Sequence, residues 1–209
     1  MMPTFKEEKK LIKNGYKIIA GLDEVGRGAL AGPIVAATVV FDIEKSFYGL
    51  RKIADSKNMS KYDREKVERY IRKNARSIGI GVVDPSDIDK FGIGKANILA
   101  FDRALGNIEI DFALIDGRKF RGFGYRYDCI IKGDSKSISI AAASIVAKVY
   151  RDNLMEELHT YNNIYCFDQH KGYGTKSHIN AILRHGPCEH HRLSFLRNIN
   201  LDQNNKFDI

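Results

Sequence analysis

Cysteine is scarce in this chain, and the little there is forms no pattern. Cys129, Cys166 and Cys188 are its three cysteines, odd in number, widely spaced and without a C-x-x-C. That excludes a disulfide framework and favours free thiols in a reducing compartment, so a cytoplasmic location is expected. The opening residues, Met1-Met2-Pro3-Thr4-Phe5-Lys6-Glu7-Glu8, carry no apolar stretch of the kind a secretory signal needs. No apolar run approaches the roughly 18 residues that span a bilayer, so no membrane segment is expected. Internal repeats, linkers and low-complexity blocks are missing too. One domain over residues 1–209 is therefore expected, with a core from about 17 to 195. The Asn-rich end, residues 196–209, reads as a flexible polar tail.

Positive charge is plentiful. Lys and Arg number 34 against 26 Asp and Glu, a formal net charge of +8. Simple solubility accounts for many such surpluses, but an anionic partner, nucleic acid first, is favoured. With 44% apolar residues, the 209-residue chain can also build a substantial α/β core.

Hydrophobic periodicity organises the chain. Residues 1–16 read as a short charged helix or arm. Lys17–Glu24 and Pro33–Phe41 read as strands close enough in sequence to form a hairpin. Ser60 is a good N-cap for a charged helix over 61–76. Ile78–Val83 reads as a third strand, and Asp84-Pro85-Ser86 turns into one or two helices reaching about Leu105. Phe112-Ala113-Leu114-Ile115 is short and wholly apolar, as a buried central strand should be. Tyr127–Ile131 is a fifth strand. Ile138, Ala141, Ala142, Ile145 and Val149 make one stripe of a long helix over 137–159. A last helix is expected from Lys176 to Arg184, stopped by Gly186-Pro187. The sum is an α/β fold: a mixed five-stranded sheet with helices on both faces and a short helical C-terminal region.

The richest stretch is Gly21-Leu22-Asp23-Glu24-Val25-Gly26-Arg27-Gly28-Ala29-Leu30-Ala31-Gly32-Pro33. Adjacent strand residues point to opposite faces. Asp23 and Glu24 therefore reach a common site only if one comes from the far face or the strand bends. The glycines and Arg27 suit a phosphate, although a polar Gly-rich turn with two solvated acids would look the same. Asp116 and Asp134 also follow predicted strands, and strand ends are where α/β sheets build sites. A lone Asp there is as readily a turn or a cap, and Asp134 could simply start the long helix. Four converging acids would repel one another unless cations sat between them. Mg²⁺ or Mn²⁺ suits all-oxygen ligation, and two such ions can drive phosphodiester cleavage. Cys188 with His185, His190 and His191 lacks the paired spacing of a structural zinc site. Asp152, after Arg151, reads as an ion-pair partner rather than a ligand, and Asp55 as a phosphate-site acid or a loop residue.

The Gly21–Pro33 stretch resembles the first signature of the ribonuclease HII family. Lys132-Gly133-Asp134, then Ile140 to Val149 with Arg151-Asp152, resembles the second. Lys171-Gly172-Tyr173-Gly174-Thr175-Lys176-x-His178 and His191-Arg192-x-Ser194-Phe195 resemble the third. The blocks fall in the family's order with Asp116-Gly117 between them. The resemblance implies a ribonuclease H-like fold and an endonuclease for the RNA strand of RNA–DNA hybrids, including single ribonucleotides in duplex DNA. It implies that Asp23, Glu24, Asp116 and Asp134 carry metals and catalysis. Gly26, Arg27 and Gly28 would read the ribose 2′-OH at an RNA–DNA junction. Tyr173, otherwise an ordinary exposed ring, would pack on the sugar there. Lys57, otherwise one of many surface lysines, would face backbone phosphates. A monomer without membrane association is expected. The sister class, ribonuclease HIII, is disfavoured by Gly26-Arg27-Gly28, and a catalytically dead binding module by the complete set of acids.

Overall fold

The computed structural model describes residues 2–43, 53, 59–197 and 199. Lys57, Asp55 and the end of the tail from Asn200 lie outside the described residues.

Five strands make one sheet: β1 (Ile19–Val25), β2 (Ile34–Val40), β3 (Ser77–Val83), β4 (Phe112–Asp116) and β5 (Tyr127–Ile130), in the order β3-β2-β1-β4-β5. The β1–β2 hairpin is antiparallel, as is β2–β3, whereas β1, β4 and β5 run parallel. The centre of the sheet is thus β1, and the apolar β4 lies beside it. Helices α1 (Lys6–Lys13), α2 (Lys61–Asn74), α3 (Pro85–Phe91), α4 (Ile93–Leu105), α5 (Ile138–Tyr161), α6 (Phe167–His170) and α7 (Lys176–His185) complete the described elements. The caps follow the sequence. Ser60 accepts from the Asp63 N–H, Ser137 from Ile140 and Thr175 from His178.

Side-chain alternation divides the sheet into two cores. Val35, Ala37 and Val39 of β2 meet Ala141, Ala142 and Ile145 of α5. On the other face Ala20, Leu22, Ile34, Ala36, Ala113 and Ile115 meet Ala96, Ala100, Phe101 and Ala104 of α4. Small residues let both helices come close. A Cβ at Gly21 would overlap the Ser139–Ile140 backbone of α5, and one at Gly81 would overlap the backbone of α4. Gly21 is therefore a packing residue, whatever its neighbours do. No described helix is long and apolar enough to cross a membrane. The short α6 and three 3₁₀ turns, at Gly133–Ser135, Asn163–Tyr165 and Leu193–Phe195, had no periodic signal to betray them.

Candidate active site

Because β1, β4 and β5 are parallel, their C-terminal ends share one edge of the sheet. Asp23 and Glu24 sit near the end of β1, and Asp116 is the last residue of β4. The register pairs Leu22 with Ile115, so Asp23 and Asp116 are the next residue of each strand. Alternation puts both on the α5 face, with Ile19, Phe112 and Leu114 below them. Glu24 faces the other way, where Asn97 of α4 hydrogen-bonds it. After β5 the chain turns through Lys132, at φ 55, into the 3₁₀ turn that carries Asp134. Asp134 does not cap α5, since Ser137 does.

The edge is electrostatically loaded. Burial pushes the Asp23 carboxyl well above the usual range, and the charges of Glu24 and Asp116 push the same way. Hydrogen bonds from the Ser144 side chain and from the Glu24 N–H, at 2.8 Å, oppose that rise. Glu24 is raised too, by burial first; Arg27, 3.6 Å away, and Asn97 pull it back while Asp116 adds to the rise. Asp116 Oδ1 accepts from the Gly133 N–H at 2.5 Å, which ties the end of β4 to the Asp134 turn. A side chain at Gly133 would lie 3.2 Å from that same oxygen and 2.7 Å from Ile140 Cδ1. Among the described residues no three His, Cys, Asp or Glu side chains are gathered into a ready cage. A small hard divalent cation asks for less: one or two carboxylates, with waters and substrate phosphate supplying the rest. Oxygen-only donors, of which Asp23 and Glu24 are raised by burial and then by neighbouring carboxylates, fit such an ion.

The loop after β1 is held from far along the chain. Arg151 and Arg192 are fully buried, and each spends its fork on backbone carbonyls. Arg151 donates to Pro33 O at 2.9 Å, Ala31 O at 3.1 Å and Lys171 O at 2.9 Å. Arg192 donates twice to Gly32 O, at 3.0 and 2.9 Å, and once to Arg27 O at 3.1 Å. Burial pulls Arg192 down to about 9, with Arg151's charge adding to the effect. Both therefore stay cationic at neutral pH and leave positive potential under the loop. Gly172 O accepts from Leu30 N at 2.8 Å and Ala31 N at 3.2 Å, and Ala31 bridges to His191. The Tyr173 ring lies 5.4 Å from the Arg151 guanidinium and is partly exposed.

Two of the glycines differ in kind. Gly26 has φ 87, and a Cβ there would overlap the Arg151 side chain. At Gly28 a Cβ would meet nothing within 4 Å. Among the described residues no contact demands glycine at 28, whereas a ligand laid against this exposed turn would.

The structure thus brings Asp23, Glu24, Asp116 and Asp134 to one edge, with Gly26, Arg27 and Gly28 directly after β1 and Tyr173 next to Gly172, which bonds Leu30 and Ala31 of the same loop. Sequence reasoning missed Ser144, Asn97, Gly133, Arg151 and Arg192. Asp152 is the ion-pair residue that was expected, pairing with Lys148 within α5 at 2.7 Å and with Arg64 at 3.7 Å, while Arg151 serves the loop instead. Of the residues that resembled a zinc cluster, His191 contacts Cys188, His185 is exposed, and His190 lies beside Glu189.

Comparison with known proteins agrees with this geometry. The Ribonuclease HII family model matches residues 20–198. A ribonuclease HII of Caldicellulosiruptor bescii is 46% identical over 197 residues, covering 93% of this chain and 94% of its own. The fold resembles ribonuclease HII in a PCNA complex from Archaeoglobus fulgidus, with TM-score 0.75, 25% identity and coverage of 91% of this chain and 100% of that one. Ribonuclease H2 of Pyrococcus horikoshii OT3 gives TM-score 0.72 at 26% identity, over 87% of this chain and 96% of that one. With the acids of three parallel strands at one edge and a family match over nearly the whole described core, this chain belongs to the ribonuclease HII family, metal-dependent endoribonucleases that cut the RNA strand of RNA–DNA hybrids.

Proposed function

We propose that this chain, acting as a monomer, nicks duplex DNA on the 5′ side of a single embedded ribonucleotide as well as cutting longer hybrids. The ends would be a 3′-hydroxyl and a 5′-phosphate. The observation that carries the reading is the exposed Arg27–Gly28 turn beside Glu24, in a loop whose following Leu30–Ala31 backbone is bonded to Gly172, the neighbour of Tyr173. That arrangement offers a backbone reader for one 2′-OH and a ring for one sugar, next to the acids. Asp23, Glu24, Asp116 and Asp134 would hold two Mg²⁺ or Mn²⁺ ions. When bound, such ions activate a water and stabilise the leaving oxygen. The chain's own part is positional. Ser144 and the Glu24 N–H aim Asp23, the Gly133 N–H aims Asp116, and Asn97 and Arg27 hold Glu24. Arg151 and Arg192 keep the reading loop rigid and positive, and Lys57 would face a backbone phosphate.

The test is a gel of end-labelled duplexes carrying zero, one or four ribonucleotides, with Mg²⁺ or Mn²⁺. Expected are a nick 5′ of the lone ribonucleotide and no cut in all-DNA duplex. Cutting of only the four-ribonucleotide duplex would overturn the reading, because a reader of one 2′-OH needs no more than one. Tyr173→Ala should slow the single-ribonucleotide nick about ten- to hundredfold, in line with the ~1–3 kcal/mol of aromatic packing in nucleic-acid sites.

Gly28→Ala separates reading from folding. The added methyl meets nothing among the described residues, so thermal stability should stay at the parent value. It would stand where the sugar must approach, so the single-ribonucleotide nick should fall by about tenfold or more. A Gly28→Ala enzyme with parental kinetics would mean that the substrate does not lie against this turn.

A further inference from the structure

We propose that His178, His191 and His170 are positioning residues for Tyr173, forming a buried lattice of neutral imidazoles that admits one set of tautomers. The functional half of this proposal rests on the reading of Tyr173 given above.

The protons can be assigned atom by atom. The Cys188 N–H points at His191 Nδ1 from 3.0 Å, and the Cys188 thiol lies 3.2 Å from the same atom. Nδ1 must therefore accept, which puts the His191 proton on Nε2. That nitrogen faces His178 Nε2 at 3.1 Å. His178 Nε2 must accept, so its proton sits on Nδ1, 2.9 Å from Tyr173 O. His170 closes the set. Its Nδ1 accepts from Gly172 N at 3.2 Å, and its Nε2–H donates to Tyr165 O at 2.6 Å. Moving any one proton sets donor against donor or lone pair against lone pair, an uncompensated cost for a buried group.

The surroundings keep the rings neutral and in place. His178 and His191 are 0% and 2% exposed, and burial lowers both to about 4. His170 stacks on His178 at 4.3 Å, Phe167 presents its face or edge to all three rings, and Tyr165 stands edge-on to His191 at 4.7 Å. Mere core filling would leave the polar atoms pointing anywhere satisfied. Here they end on the two residues that matter. Tyr173 N donates to His170 O at 2.9 Å, Tyr173 O receives His178, and Gly172 links His170 to the Leu30–Ala31 backbone of the reading loop. The lattice therefore joins the 188–191 segment to both substrate loops.

Two measurements test it. Long-range ¹H–¹⁵N NMR of the ¹⁵N-labelled, metal-free protein at neutral pH should show His178 as the Nδ1–H tautomer and His191 and His170 as Nε2–H. An Nε2–H His178 or an Nδ1–H His191 overturns the lattice, and this reading needs no variant to fold. The second compares His178→Asn with His178→Gln. Asparagine places its amide nitrogen where Nδ1 was and keeps the donor to Tyr173 O, whereas glutamine places its amide at the Nε2 position and loses that donor. Asparagine loses the acceptor for His191 Nε2–H, whereas the glutamine amide oxygen keeps it, so a purely structural role predicts no larger loss for Gln than for Asn. Positioning predicts kcat on the single-ribonucleotide duplex within about threefold of the parent for Asn and about tenfold lower for Gln. Equal kcat values overturn it. The expected tautomers together with a Tyr173→Ala enzyme that nicks normally would support the lattice and sink the sugar-packing reading. Wrong tautomers with an impaired Tyr173→Ala enzyme would sink the lattice alone.

Discussion

Asp23→Asn, Glu24→Gln and Asp116→Asn should each lose about a hundredfold or more in hydrolysis while remaining folded. A metal ion supplies several kcal/mol of transition-state stabilisation, and each ~1.4 kcal/mol is tenfold in rate. Asparagine at 23 keeps an acceptor for Ser144 and for the Glu24 N–H, so the backbone has no reason to move. The stability effect runs opposite to activity. The folded pKa of Asp23 is raised, so its contribution is fully present below the unfolded carboxylate pKa and is lost as pH rises through the folded value. Above the unfolded carboxylate value, burying this acid therefore costs the wild type stability, through the buried charge or through the proton taken up to avoid it, and Asn removes that cost. Metal-free Asp23→Asn should melt higher than the parent at pH 7, and the gap should close at acid pH. Added Mg²⁺ or Mn²⁺ should stabilise the parent more than the variant. Near-parental turnover in Asp116→Asn would sink the two-metal proposal, and a lower melting point for metal-free Asp23→Asn would sink the account of the charged edge. Asp134→Asn is expected to follow the other three, since the helix cap that could have explained that acid belongs to Ser137.

Arg151→Lys should be the most damaging change outside the acids. The three carbonyls that Arg151 serves belong to Ala31, Pro33 and Lys171 and lie in different directions. A single ammonium on a shorter fork cannot meet all of them, and the cation remains buried. Each carbonyl left without a donor costs about 1–3 kcal/mol, so a loss of roughly 2–4 kcal/mol is expected. For a chain of this size that is about 5–15 °C in melting temperature. The single-ribonucleotide nick should fall further than the melting curve explains, because the reading loop and the Tyr173 turn lose their common anchor. Differential scanning calorimetry and the duplex gel measure both. A melting temperature within about 2 °C of the parent would show that the carbonyl contacts do not hold the loop.

How much of this could be read from the residues alone depends on how local each feature is. Ser60, Ser137 and Ser139–Val149 announce their helices by neighbours a few positions away, and the predicted boundaries lie within a residue or two of α2 and α5. The alternating β1–β2 hairpin was legible for the same reason. Asp116 was legible because a short apolar run must be an interior strand and must end somewhere. Arg151 and Arg192 were not. A buried arginine with carbonyl partners has no sequence signature, and all of these partners but Lys171 lie more than a hundred positions away. Gly21 read simply as a residue of the first strand, and its packing of α5 on the sheet was not legible, since a glycine's reason is the neighbour it admits. The opposite faces of Asp23 and Glu24 followed from strand geometry, but only the structure assigns Ser144 and Asn97 to them.

The reach of Arg192 has a consequence for when the enzyme becomes an enzyme. Its bonds to Gly32 and Arg27 span 160 and 165 positions. During synthesis the Gly26–Pro33 loop emerges well before its clasp, which follows some 160 positions later. Contacts of such long sequence separation are also the slowest to form. A ribosome-bound chain that has already assembled its sheet and its acids therefore still holds the reading loop open. A nascent protein carrying nuclease acids beside nucleic acid would be a hazard, and here the closing residue arrives only after all four acids have been made.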